Sequence, residues 1–323
     1  MTDVLELLDA KMSFRVGRGF FHGTTLTAVD EVSMSLKRGE TLALIGESGS
    51  GKTTLGRLTL RLLEPTGGKI IFDGKDITHV SEGKLSWFRK AAQTIFQDPY
   101  SSLNPAMSVQ NILEEPLEIH HLNERKVNEE TIFNALKNCG LTPQENFLPK
   151  HPHLLSGGQR QRVAIARAII LRPKYIVADE PVSMIDASGR VEILDLLRSL
   201  QVSYGISFLY ITHDIATARY SSDRIAVMYL GRIVEVAPAE ELIRNPLHPY
   251  TVALIGAVPE PDPSNLQRER PSIPGEAPIP IELPPVCRFN LRCPKFMKGT
   301  CDKEDPALEE IAPNHFVACH LYS

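Results

Sequence analysis

Long apolar runs are missing from this chain. No stretch approaches the roughly 18 consecutive apolar residues of a membrane-crossing helix, so no helical span is predicted. Lysine and arginine form no long run, and the formal net charge is −4. A tail that binds nucleic acid is therefore not expected. Residues 1–9 carry acidic groups and lack the basic start of a secretory signal. The chain is expected inside the cell, or peripheral to the cytoplasmic face of a cell membrane that other subunits cross. Cysteine is nearly absent ahead of the C-terminal tail, where Cys139 stands alone. It reads as a small apolar core residue. Internal repeats and long low-complexity tracts are also lacking.

What remains is an ordinary globular composition of 323 residues, 42% hydrophobic and 23% charged. That length holds one large α/β domain plus an addition. Val32, Met34 and Leu36 alternate with polar residues, and residues 70–72 form an apolar run ended by Asp73-Gly74. Both read as strands of an antiparallel sheet. Residues 41–45, Thr-Leu-Ala-Leu-Ile, form an apolar run after Thr41, as in a buried parallel strand. Residues 54–63 read as a helix stopped by Pro65.

From about 98 to 158 a mostly helical insertion is predicted, with Ile132, Ala135, Leu136 and Cys139 at helical spacing. Beyond it, 160–170 and 191–200 read as helices, and 175–178 and 206–212 as buried strands. Residues 225–229 and 233–236 flank Gly231 as a hairpin. Strands alternating with helices predict a parallel sheet with helices packed on it. A proline-rich stretch from Pro259 reads as an extended linker. It divides a main domain, 1–258, from an extension, 259–323.

The octet Gly46-Glu47-Ser48-Gly49-Ser50-Gly51-Lys52-Thr53 matches G-x-x-x-x-G-K-[ST] in full, and Thr54 continues it. Glycines let such a loop point its N–H groups inward, and the following helix adds its positive end. Lys52 is placed to reach the β- and γ-phosphates of ATP, and the Thr53 hydroxyl to hold Mg²⁺. The second half of such a site is a strand ending in acid, supplied by Tyr175-Ile176-Val177-Ala178-Asp179-Glu180. Asp179 would orient Mg²⁺, and Glu180 would act as general base on the attacking water.

Leu155-Ser156-Gly157-Gly158-Gln159 resembles the signature sequence of ABC ATPases. Ser156 is also a natural N-cap for the helix that follows. The resemblance implies a phosphate-loop (RecA-like) α/β core with an antiparallel β subdomain and a helical subdomain. It also implies a dimer in which Ser156, Gly157, Gly158 and Gln159 grip the γ-phosphate of ATP held by the other subunit. Gln97, in Ile95-Phe96-Gln97-Asp98-Pro99, looks like the loop glutamine that contacts Mg²⁺ and the water. Asp186 looks like the aspartate that crosses the dimer interface, although Met184-Ile185 stands where the family more often has Ala-Leu. His213 looks like the switch histidine at the γ-phosphate. The adenine ring is expected on an aromatic near the N-terminus, Phe21 or Phe20 ahead of Phe14.

The resemblance narrows with Asn245-Pro246-Leu247-His248-Pro249-Tyr250-Thr251, Pro274-Gly275-Glu276, Cys287-Arg288-Phe289 and Arg292-Cys293-Pro294. These look like the tail of the dipeptide/oligopeptide importer ATPases. Membership implies peptide import, with oligosaccharide import as the alternative. It also implies a sister ATPase or a second copy as dimer partner, two membrane permease subunits and an extracytoplasmic solute-binding protein. A soluble, non-transport ABC ATPase would need a coiled-coil insertion or a second ATPase domain, and neither is present.

Cys287, Cys293, Cys301 and Cys319 crowd the tail in a pattern that is not C-x₂-C. Their thiolates suit tetrahedral zinc or a [4Fe–4S] cluster equally, and free thiols or disulfides also remain open. The family resemblance favours the [4Fe–4S] cluster.

Overall fold

The structure is a computed structural model that describes residues 3–16, 24–122, 125–257, 275, 278, 281 and 284–323. Its strands, in chain order, are β1 (Asp3–Val16), β2 (Thr24–Lys37), β3 (Thr41–Ile45), β4 (Gly67–Phe72), β5 (Lys75–Asp76) and β6 (Ala92–Ile95). They continue with β7 (Tyr175–Asp179), β8 (Ser207–Ile211), β9 (Arg224–Tyr229), β10 (Arg232–Pro238), β11 (Glu309–Ala312) and β12 (His315–Val317). The chain divides into two compact units. One comprises Met1–Val4, Leu36–Glu40 and His79–Tyr210; the other comprises Leu5–Ser35, Thr41–Thr78 and Ile211–Ser323.

The latter unit carries a four-stranded sheet of order β2-β1-β4-β5. β1 and β4 are antiparallel, with Leu5 opposite Phe72 and Leu7 opposite Ile70. All four of these side chains are buried, because a period of two puts them on one face. Val29 and Val32 of β2 are buried as well. The same unit holds the run β11-β12-β10-β9-β3. β3 is buried along its whole length and pairs parallel with β9. β9 and β10 form the predicted hairpin around Leu230-Gly231, both at positive φ. β12 then pairs antiparallel with β10, so backbone hydrogen bonds tie the C-terminal tail to this sheet.

The other unit contains β8-β7-β6, with β6 and β7 parallel. Its insertion is mostly helical, as predicted, with helices Pro99–Ser102, Val109–Ile119 and Arg125–Asn138. Ile132, Ala135, Leu136 and Cys139 are all buried there. Cys139 is a core residue whose thiol burial pushes up to about 12. Two helices differ from expectation. The helix predicted over 54–63 is Lys52–Thr59, because Arg61 turns left-handed at φ 51 and its Nε donates to the Ile77 carbonyl at 2.8 Å. The helix predicted over 191–200 is Ala187–Tyr204, capped by Asp186 at one end and Gly205 (φ 64) at the other.

Candidate functional site

The phosphate loop leaves the end of buried β3 and enters the helix Lys52–Thr59. Two glycines are obligatory. A Cβ at Gly51 (φ 106) would lie 2.1 Å from the Ala28 carbonyl oxygen, and one at Gly46 would lie 2.2 Å from that of Met228. The loop is thus pressed against neighbouring backbone that no side chain could displace. Lys52 is buried, and its Nζ donates to the carbonyls of Gly46 and Glu47, each at 2.8 Å. Ser48, Gly49 and Thr53 are exposed. This gives exposed backbone and a hydroxyl at a helix start, with a cation fixed inside the loop. Such an arrangement can accept a phosphate.

In the same unit, His213 follows β8 by two residues and is exposed. Asp214 beside it caps the next helix by accepting from the Ala216 amide at 2.9 Å. Phe20 and Phe21 lie outside the described residues, while Phe14 is half-buried on β1.

The other unit presents the acidic strand end. Asp179 closes β7, half-buried, and Glu180 follows in the left-handed region at φ 45. A non-glycine residue held there costs about 1–3 kcal/mol, and such strain collects at functional sites. Gln97, just past β6, donates from Nε2 to Glu180 Oε2 at 2.8 Å. Within this unit, Asp179 and the Gln97 side-chain carbonyl are hard oxygen donors, a chemistry that suits Mg²⁺.

Ser156 caps the helix Gly157–Ile169 in a full capping box: its Oγ accepts from the Gln159 amide at 3.2 Å, and Gln159 Oε1 accepts from the Ser156 amide at 3.1 Å. The helix begins at Gly157, earlier than the predicted 160, because this cap opens it. Ser156 is exposed and Gly157, Gly158 and Gln159 are partly so, which leaves the positive helix end open to an anion. Asp186 is likewise a cap, accepting from the Gly189 amide at 2.8 Å and the Ser188 hydroxyl at 2.7 Å. Those bonds, the Gly189 amide foremost, hold its carboxyl below the usual range.

The described tail residues form no metal-binding group, whether for zinc or for a cluster. Zinc needs thiolates converging at about 2.3 Å on one ion, yet among the described residues no three His, Cys, Asp or Glu side chains are placed to hold a metal ion. All five cysteines are free thiols, so disulfides are not formed either. Burial, then the charges of Cys301, Asp305 and Cys319, push the Cys287 thiol up to about 12. Burial and Cys301 also raise Cys293, and burial with Cys293 and Cys301 raises Cys319.

Two residues at the loop were not singled out for it from sequence. Tyr250 Oη accepts from the Glu47 amide at 2.8 Å, and Arg292 grips the Glu47 carboxylate. Both stand within the Asn-Pro-Leu-His-Pro-Tyr-Thr and Arg-Cys-Pro motifs of the tail, but their reach to residue 47 has no local signal.

Residues 29–183 match the ABC transporter family, and residues 234–301 match the oligopeptide/dipeptide transporter C-terminal region. The chain is 45% identical to the oligopeptide transport ATP-binding protein AppF of Bacillus subtilis, over 99% of this chain and 98% of that one. It is 46% identical to the putative oligopeptide transport ATP-binding protein YkfD of the same organism, over 99% and 95%. Among solved structures, CbiO1 of Clostridium perfringens, described as part of an ABC transporter complex, is 31% identical with a TM-score of 0.64, covering 76% of this chain and 92% of that one. The post-hydrolysis dimer of the cassette MJ0796, bound to ADP and Pi, is 28% identical with a TM-score of 0.65, covering 73% and 98%. With the phosphate loop, the capped signature helix and this tail in one sequence, the chain belongs to the oligopeptide/dipeptide transporter branch of the ABC transporter ATPases.

Proposed function

We propose that this chain is the ATP-hydrolysing subunit of a peptide importer, peripheral to the cytoplasmic face of the membrane. The observation that carries peptide cargo is the match of residues 234–301 to the oligopeptide/dipeptide transporter C-terminal region. Relatives aligned along nearly the whole chain are named for oligopeptide transport, which supports the same reading.

ATP is the substrate. The amides of the loop from Gly46 to Lys52 bind its phosphates, with Thr53 and Thr54 at the helix start and Lys52 as the cation. Thr53, Gln97 and Asp179 would hold Mg²⁺, which would supply neutralisation of charge on the phosphoryl oxygens. Glu180 takes the proton of the attacking water, and Gln97 keeps that carboxylate directed. His213 contacts the γ-phosphate, and Phe21 stacks on adenine.

Ser156, Gly157, Gly158 and Gln159 grip the nucleotide held by the partner, and Asp186 faces that partner across the dimer. The partner is a sister ATPase or a second copy. ATP shared between two chains closes the pair, and hydrolysis removes the shared charge and reopens it. Two permease subunits receive the stroke, and an extracytoplasmic solute-binding protein delivers the peptide. The division into 1–258 and 259–323 belongs to this reading.

A [4Fe–4S] cluster on Cys287, Cys293, Cys301 and Cys319 is its last part. Support comes from the sequence, where these four cysteines crowd the C-terminal tail. Iron and sulfide analysis of anaerobically purified protein tests it.

The test of function is reconstitution with permease and binding-protein subunits in vesicles. ATP-driven uptake of labelled peptide is expected. Uptake of oligosaccharide alone would overturn the cargo, and absence of ATP hydrolysis would overturn the whole reading.

A further inference from the structure

The loop residue Glu47 is held at three points. Its carbonyl accepts from Lys52 Nζ at 2.8 Å. Its amide donates to Tyr250 Oη at 2.8 Å. Its carboxylate receives both arms of Arg292, Nη1 to Oε2 at 2.8 Å and Nη2 to Oε1 at 3.1 Å. The first hold is local to the loop, but the other two come from residues far along the chain. The forked geometry fixes the direction of the carboxylate as well as its charge.

Arg292 is itself constrained. Its Nη2 donates to the Gly275 carbonyl at 2.9 Å and its Nη1 to Tyr229 Oη at 3.2 Å. Its backbone amide bonds the Phe289 carbonyl at 3.0 Å. Phe289 packs on Tyr229, Tyr250 and His248, with ring centroids 5.3, 5.5 and 5.7 Å away. The Arg292 side chain is only 7% exposed and that of Glu47 27%. The pair is therefore less screened than a surface ion pair. The hydrogen bond to Glu47, ahead of every other cause, raises the Arg292 pKa, so the guanidinium stays charged.

A carboxylate in a phosphate-binding loop is a liability, because it repels the polyanion that the loop binds. We infer that Arg292 is a positioning residue of the phosphate loop: it neutralises Glu47 and turns its carboxylate away, so that the cysteine-bearing tail sets the affinity for ATP. Arg292 acts through Glu47 and touches no substrate itself. The inference rests on the reading of this loop as the ATP site.

The test uses the full-length chain, a fluorescent ATP analogue for binding, and steady-state hydrolysis. Arg292→Ala should weaken binding about tenfold, through one uncompensated charge near the phosphates. KM should rise in step while kcat changes little, since the hydrolytic groups are untouched. Arg292→Lys should fall between, keeping the charge but losing the fork. The deciding variant is the double change Arg292→Ala with Glu47→Gln, which removes the repelling charge and should return affinity toward wild type. A purely structural role for Arg292 would allow no such rescue.

Wild-type affinity in Arg292→Ala, or a double variant as weak as the single one, overturns the inference while leaving the ATP site standing. A wild-type chain that fails to bind the analogue overturns both. Should Arg292→Ala not fold, Glu47→Gln alone decides. It should bind at least as tightly as wild type, and a tenfold loss would refute the idea.

Discussion

Gln97 donates a hydrogen bond from Nε2 to Oε2 of Glu180 at 2.8 Å, joining residues 83 positions apart in sequence. One carboxylate oxygen is thereby committed, and the carboxylate is oriented. Glu180→Gln should leave ATP binding within about threefold of wild type and lower turnover by about 10²–10⁴-fold, the usual worth of a general base. Gln97→Ala leaves the proposed base, Glu180, in place but undirected, and should cost about tenfold in turnover. Phosphate release alongside nucleotide titration checks both. Equal losses in the two variants would count against the division of roles.

Two loop glycines should respond differently to alanine. At Gly51 the added Cβ meets the Ala28 carbonyl oxygen at 2.1 Å, and φ is 106. At Gly49, φ is 79 but nothing lies within 4 Å of the new atom. Gly49→Ala should therefore cost only the left-handed backbone penalty, about 1–2 kcal/mol. Gly51→Ala should cost more, because backbone must move, and it should abolish ATP binding. Denaturant unfolding of the two variants makes the comparison.

Ser156 has a capping role that can be separated from its proposed phosphate contact. Ser156→Ala should lose about 1 kcal/mol at the helix start, seen as faster amide exchange at Gly157–Gln159. Ser156→Asp restores the cap, since aspartate is as good an N-cap. It also places negative charge where the partner's γ-phosphate is proposed to sit. Stability should recover in Ser156→Asp and turnover should not. Recovery of both would argue that Ser156 only caps.

Acid should weaken the fold through His248. Burial lowers its imidazole from the ordinary 6.5 to about 3. Between those values the unfolded chain binds a proton that the folded chain refuses. Stability is then full above pH 6.5 and falls as pH drops from 6.5 toward 3. The loss between pH 7 and pH 5 is on the order of 2 kcal/mol. His248→Gln should flatten thermal stability over that interval, and an unchanged slope would discount His248 as the cause.

Much of the fold was legible because its signals are short. Period-two alternation at Val32 and Leu36 marked β2, and the apolar run Leu42–Ile45 of β3 marked a strand buried on both faces. Helical spacing brought Ile132, Ala135, Leu136 and Cys139 into a core. The errors fell at helix ends. The end of Lys52–Thr59 hangs on Arg61, whose left-handed turn is secured by the distant Ile77 carbonyl. Amphipathic periodicity said nothing about that partner. In the tail, cysteine spacing alone could not name a metal, since whether thiols converge depends on how the chain is folded.

The sequence by itself determined the phosphate loop, the acidic strand end and the capped signature helix. In each the chemistry is carried by residues within a few positions of one another, so backbone geometry alone sets their arrangement. Only the tertiary structure decided that Gln97 bonds Glu180, that β12 joins β10, and that Arg292 holds Glu47 across 245 residues. Such contacts come from the path of the whole chain, because packing brings together groups that no local period relates.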